Sequence, residues 1–129
     1  MLFIDTCYII ALVNSKARNH SRALYIKDKI KDERMVINSI VLTEMLNNLH
    51  KTRYNSVRQQ VLDKLYGVDY IHYVSQKDYD VALEMFKNYN FSVNFSDCVI
   101  LKTMMDYGVN TIVSFDGHFD KIKGIERFY

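Results

Sequence analysis

The chain has no proline, only two cysteines, only four glycines, and no apolar run approaching the length of a membrane span. Each scarcity removes a class of protein. Without proline, turns fall to Gly, Asn, Asp and Ser. Cys7 and Cys98 stand in neither a CxxC nor a metal-ligand spacing, so both read as buried thiols packing as small hydrophobes beneath their neighbours. Gly67, Gly108, Gly117 and Gly124 are too dispersed for a glycine-rich nucleotide loop after the first strand. The apolar residues begin at Met1 without a basic leader and run into Asp5, which is not a signal peptide; a cytoplasmic protein without a membrane segment is the expectation. There are no internal repeats, low-complexity tracts or linkers, and the 129 residues suit one domain, residues 1–129.

What is present is an ordinary globular composition, 49% hydrophobic and 25% charged, with a net charge of +2. The charge is unevenly spread. Residues 16–64 carry eleven Lys/Arg against five Asp/Glu, and residues 65–129 carry six against nine. A basic half permits a polyanionic partner; a solvated helical surface explains it equally well.

Apolar patterning gives alternating strands and helices. Strands are expected at Leu2 to Ile4, Arg34 to Asn38, Val68 to Val74 and Asn110 to Phe115, with a short fifth at Glu126 to Tyr129. Helices are expected at Thr6 to Val13, His20 to Lys31, Ile40 to about Lys51 capped by Ser39, Ser56 to Tyr66, about Gln76 to Asn88 capped by Ser75, and from Ser96 to Gly108. Asp116-Gly117 reads as a turn. This order implies an α/β fold with a mostly parallel central sheet of four to five strands and helices on both faces.

Four carboxylates stand out by position. Asp5 ends the first strand, Glu44 lies one turn into the helix after the second, Asp97 opens the last helix, and Asp116 ends the fourth strand. In a parallel sheet, strand ends and helix starts share one edge, so all four can face one crevice. Each also has a plainer role. Asp5 can be a helix N-cap, Asp97 can favour a helix dipole, and Asp116 can be a turn residue. Glu44 is surrounded by Ile40, Val41, Leu42, Met45 and Leu46, where a charge without a partner is disfavoured. Two carboxylates about 4 Å apart repel by roughly 4 kcal/mol at an effective dielectric near 20. A converging set therefore needs protons, basic partners or cations. Donors that are all oxygen point to a hard ion, Mg²⁺ or Mn²⁺, which can activate water and stabilise charge on a phosphodiester.

These residues resemble the PIN-domain ribonucleases, especially the small VapC-type toxins of prokaryotic toxin–antitoxin pairs. The resembling segments are Phe3-Ile4-Asp5-Thr6, Leu42-Thr43-Glu44-Met45-Leu46, Phe95-Ser96-Asp97-Cys98-Val99-Ile100 and Ser114-Phe115-Asp116-Gly117-His118-Phe119, in the family's order along the whole chain. The resemblance implies a PIN-like three-layer α/β/α sandwich and metal-dependent hydrolysis of RNA. It makes Asp5, Glu44, Asp97 and Asp116 the metal-binding and catalytic carboxylates, with Asp120 able to share or exchange the role of Asp116. Thr6, Ser96 and Ser114 become supporting hydroxyls that position a carboxylate or a phosphate. It further implies one or two Mg²⁺ or Mn²⁺ ions, a homodimer and a small antitoxin partner. A housekeeping RNA-processing nuclease with the same site, or a nuclease-inactive PIN domain that binds RNA or protein, are the alternatives.

Lys51, Arg53, Arg58 and Lys64 are candidates for RNA phosphates, or else exposed helix charges. The tyrosines can offer stacking faces for bases, although Tyr25, Tyr66 and Tyr79 fall in helices where packing explains them. His118 is either a surface turn residue or a substrate contact. His20, His50 and His72 are too scattered in sequence for a metal site.

Overall fold

A computed structural model describes all residues, 1–129. Five strands, β1 (Leu2–Ile4), β2 (Met35–Asn38), β3 (Tyr70–His72), β4 (Thr111–Val113) and β5 (Glu126–Phe128), form one sheet of order β3-β2-β1-β4-β5. Every pairing is parallel. Six α-helices fill the intervals: α1 (Thr6–Val13), α2 (His20–Ile30), α3 (Ser39–Asn48), α4 (Arg58–Tyr66), α5 (Gln76–Asn88) and α6 (Phe95–Asp106). No helix is long and apolar enough to cross a membrane.

Side chains alternate across each strand. Ile4, Met35 and Ile37 point to the side where α1, α2 and α4 line a cleft of about 460 Å³. Phe3 and Val36, both fully buried, point the other way. Asn38 shares that second face and donates its side-chain amide to Thr103 Oγ1 of α6 at 3.0 Å. The helices therefore cover both faces, α5 packs along α6, and a continuous core of buried side chains runs through the layers.

The elements keep their expected order, with shorter ends. Strand β3 spans three residues rather than seven, and β4 three rather than six. The cap of α3 is Asn38, not Ser39: its Oδ1 accepts the amides of Ile40 and Val41 at 3.1 and 3.2 Å. Asparagine is at least as good a cap as serine, and Ser39 Oγ instead accepts the Val74 amide at 2.9 Å. Helix α3 stops at Asn48, and a short 3-10 helix over Thr52–Tyr54 precedes α4, which begins two residues later than expected. Helix α6 starts at Phe95 after Asn94. The Asp116-Gly117 turn is the start of a second 3-10 helix, Gly117–Lys121, capped by Asp116. Ser75 caps α5 as expected, in a reciprocal capping box with Asp78.

Candidate active site

Chain order in the sheet locates the crevice. The chain runs outward from β1 through β2 to β3, then returns to the other side of β1 with β4. The switch point therefore lies between β1 and β4, where open α/β sheets hold their ligands. Ile4 pairs with Val113, so the next residues, Asp5 and Ser114, emerge together at the carboxyl edge.

Asp5 is buried at the N-terminus of α1, and its carboxylate is fixed from three sides. The Thr6 amide donates to Oδ1 at 2.8 Å. The Ser114 hydroxyl donates to Oδ2 at 2.6 Å, and the Cys7 thiol donates to the same oxygen at 3.1 Å. The N-cap reading of Asp5 is correct as far as it goes, because its side chain does accept the first helical amide. Ser114, also buried, accepts the Asp116 amide at 3.0 Å. Thr6 donates its hydroxyl to Glu44 Oε2 at 2.5 Å, which ties the helix after β2 to the end of β1. Two of the supporting hydroxyls, Thr6 and Ser114, thus hold carboxylates. Ser96 lies half-buried in the first turn of α6.

Glu44 differs from expectation. It is exposed, because Val41, Leu42, Met45 and Leu49 are the residues of this helix that turn to the core. The partner that a charge among apolar neighbours was expected to need is the Thr6 hydroxyl, met at the rim of the crevice.

Asp97 is buried, and its carboxyl is pushed up to about 6. Burial is the first cause. The charges of Asp116 and Asp5 follow, His118 pulls the other way, and Glu44 adds a further upward push. The other three carboxylates therefore all act on Asp97 across one crevice. The spacing is open: the only group of three or more His, Cys, Asp or Glu ligand atoms within 4.8 Å of one another is His72, Asp78 and Asp106, away from these four. At that second cluster Lys102 bridges Asp78 at 3.4 Å and also pairs with Asp106, so an ammonium already takes the place of a cation.

Asp116 and Asp120 part company. Asp116 Oδ1 accepts the His118 amide at 2.9 Å and faces the His118 ring nitrogen at 3.1 Å, in a half-buried position beside Asp97. Both oxygens of Asp120 are held by Arg127, Nε to Oδ1 and Nη2 to Oδ2, each at 2.8 Å. This fork is bidentate and occupies the carboxylate that was expected to share the role of Asp116. Arg127 also reaches the Ser114 carbonyl at 3.3 Å, bracing the end of β4.

The basic candidates divide in the same way. Lys51 and Arg53 are exposed. Arg58 is half-buried, and its guanidinium donates to the carbonyls of Leu49 at 2.6 Å and His50 at 3.0 Å. It satisfies the open C-terminus of α3, a capping role that the sequence did not signal. Lys64 lines the apolar cleft between α1, α2 and α4.

Two residues near the site escaped the sequence reading. Arg127 carries no local signal, since its partner Asp120 is seven residues away across a turn. Cys7 reads as a buried hydrophobe but is half-buried and polar in its contacts. Its sulfur accepts the Phe115 amide at 3.2 Å and lies 3.2 Å from Ser114 Oγ. Burial and the Asp5 charge push its thiol up to about 11, so it stays protonated. Cys98 is fully buried, as expected. The spacing of Cys7 two residues after an acid was the available signal.

The sequence profile of the PIN domain matches residues 2–125. The chain belongs to the PIN domain family. No curated protein matches it at the level of sequence. Solved structures of the same fold include Mycobacterium tuberculosis VapC20, described as a Sarcin-Ricin loop cleaving toxin, at 19% identity and a TM-score of 0.74, over 93% of each chain. VapBC2 from Rickettsia felis, bound to a DNA fragment from its promoter, matches at 19% identity and a TM-score of 0.68, over 99% of this chain and 98% of that one. FitAcB from Neisseria gonorrhoeae matches at 14% identity and a TM-score of 0.72, over 100% and 97%. The PIN domain fold expected from the four acidic segments is therefore the fold found.

The donor set in this PIN domain fits a divalent cation. Asp5, Glu44, Asp97 and Asp116 offer only oxygen, and two of them are buried. Arg127, whose charge couples to Asp116, spends its donors on Asp120 and the Ser114 carbonyl. The excess negative charge in the crevice suits a hard ion with retained waters.

Proposed function

We propose that this PIN domain is a metal-dependent endoribonuclease and the toxin of a toxin–antitoxin pair. The observation that carries the reading is the coupling of Asp97 to Asp116, Asp5 and Glu44 at the switch point of the sheet. Asp5, Glu44, Asp97 and Asp116 would hold one or two Mg²⁺ or Mn²⁺ ions. A bound ion supplies charge stabilisation at the phosphodiester and lowers the pKa of a water.

The chain's own residues do the rest. Ser114 and the Thr6 amide keep the Asp5 carboxylate in one orientation, and Thr6 keeps Glu44 at the rim. The His118 backbone amide and ring hold Asp116. Hydrolysis forms a bond from water oxygen to phosphorus and breaks the bond to the leaving ribose oxygen. The water's proton passes to a carboxylate of the cluster or to solvent, and the leaving oxygen is protonated from solvent. Lys51 and Arg53 attract the RNA backbone. Asp120 serves the fold through Arg127.

The toxin reading takes support from the fold shared with VapC20 and with the VapBC complexes, and it brings a small antitoxin protein, a homodimer and a cytoplasmic setting with it. The deciding experiment is cleavage of a mixed set of structured RNAs by the wild type and by Asp5→Asn, with Mn²⁺ or Mg²⁺ and with chelator. Cutting that requires the ion and disappears in the variant supports the reading. Equal cutting by the variant overturns it. Growth arrest on expression, relieved by a small protein encoded beside it, separates a toxin from a housekeeping nuclease.

A further inference from the structure

Asp5 is linked to the segment carrying Asp116 by two parallel arms. In the first, the Asp116 amide donates to Ser114 Oγ, and the Ser114 hydroxyl donates to Asp5 Oδ2. In the second, the Phe115 amide donates to Cys7 Sγ, and the Cys7 thiol donates to the same Oδ2. A carboxylate offers about four lone-pair sites. The two arms use both sites of Oδ2, and the Thr6 amide uses one of Oδ1, so Oδ1 keeps one open.

We propose that Cys7 is a positioning residue for divalent-cation binding. Its S–H locks the rotation of the Asp5 carboxylate and couples that carboxylate to the backbone that presents Asp116. The proposal rests on the reading of this crevice as a cation site. A small hydrophobe beneath the site would need neither the Phe115 amide nor a carboxylate oxygen within reach of its sulfur. Outer partners that orient a metal ligand typically change affinity by about 10–100-fold when removed.

The test uses the full chain and Mn²⁺ alone, measured by calorimetry, for the wild type, Cys7→Ala and Cys7→Ser. Cys7→Ala is expected to bind Mn²⁺ about 10-fold or more weakly, and Cys7→Ser, which restores a donor, to recover most of that loss. RNA cleavage by Cys7→Ala should fall at low Mn²⁺ and return toward the wild-type rate when Mn²⁺ is raised. Unchanged Mn²⁺ affinity in Cys7→Ala overturns the proposal, even if the variant is less stable. A second measurement is made in chelator. Cys7→Ala should lower the urea midpoint more in the wild type than in Asp5→Asn, because the thiol bonds a charged acceptor only in the former. Equal drops overturn the link between Cys7 and Asp5. A wild type that binds no Mn²⁺ removes the nuclease reading, and the urea cycle still decides whether the thiol holds the Asp5 carboxylate.

Discussion

Asp97 carries the cost of the ion-free crevice. Its folded value of about 6 lies above the ordinary 3.8, so the folded chain binds the proton more tightly than the unfolded chain. In chelator the penalty is absent below about pH 4, grows as pH rises toward 6, and is fully present above it. Asp97→Asn removes that charge and should stabilise the ion-free protein at pH 7 by about 1–3 kcal/mol, while weakening Mn²⁺ binding. Urea unfolding with and without Mn²⁺ measures both effects, and destabilisation in chelator would contradict the electrostatic account. Asp120→Ala makes the opposite case. It should leave Mn²⁺ affinity within about 3-fold of the wild type, because its oxygens already belong to Arg127. The acids were legible one by one because each breaks a pattern: Asp5 interrupts an apolar strand, and Glu44 sits among aliphatics. Their hydrogen-bond partners were not, since Ser114 stands 109 residues from Asp5 and only the folded sheet joins them.

Element boundaries followed the caps, and caps are where sequence patterns overlap. Asn38 and Ser39 are both good N-caps, and periodicity does not rank them. What decides is that Asn38 also bonds Thr103 on α6, while Ser39 is drawn to Val74. Asn38→Ala should cost about 1–2 kcal/mol by losing the cap and the buried amide contact together, read as a lower urea midpoint with secondary structure retained. The connection from α3 to α4 offers a second test. Lys51→Ala and Arg53→Ala should each lower the salt dependence of single-stranded RNA binding by about 0.7 in the log–log slope. Arg58→Ala should lower stability and leave the slope unchanged, since it holds the end of α3. At the N-terminus of α5, burial pushes the Asp78 carboxyl up, but the Ser75 amide and hydroxyl and the His72 ring outweigh it and hold it well below the ordinary range. Its contribution is present above pH 4 and is lost as pH falls through the lower folded value, so Asp78→Asn should flatten the acid limb of the stability curve.

For the whole molecule, the alternation of strands and helices was enough to give a parallel α/β sheet, because each parallel pairing needs a crossover and the helices are those crossovers. Strand order was not readable from the pattern, and only the folded sheet supplies it. Under the proposed function, the same order makes metal binding a global property. Mn²⁺ at about 100 times its dissociation constant should stabilise the wild type by about 2.7 kcal/mol, and Asp5→Asn by far less. The return of β4 to the middle of the sheet has one more result. A growing chain presents Asp5 long before Ser114, and the segments between them include most of the core. Fragments cut short before β4 lack the Ser114 donor to Asp5 Oδ2 and have no Asp116. The crevice of four carboxylates is then incomplete in a nascent stub, and closes only once the late strand slides in beside the first.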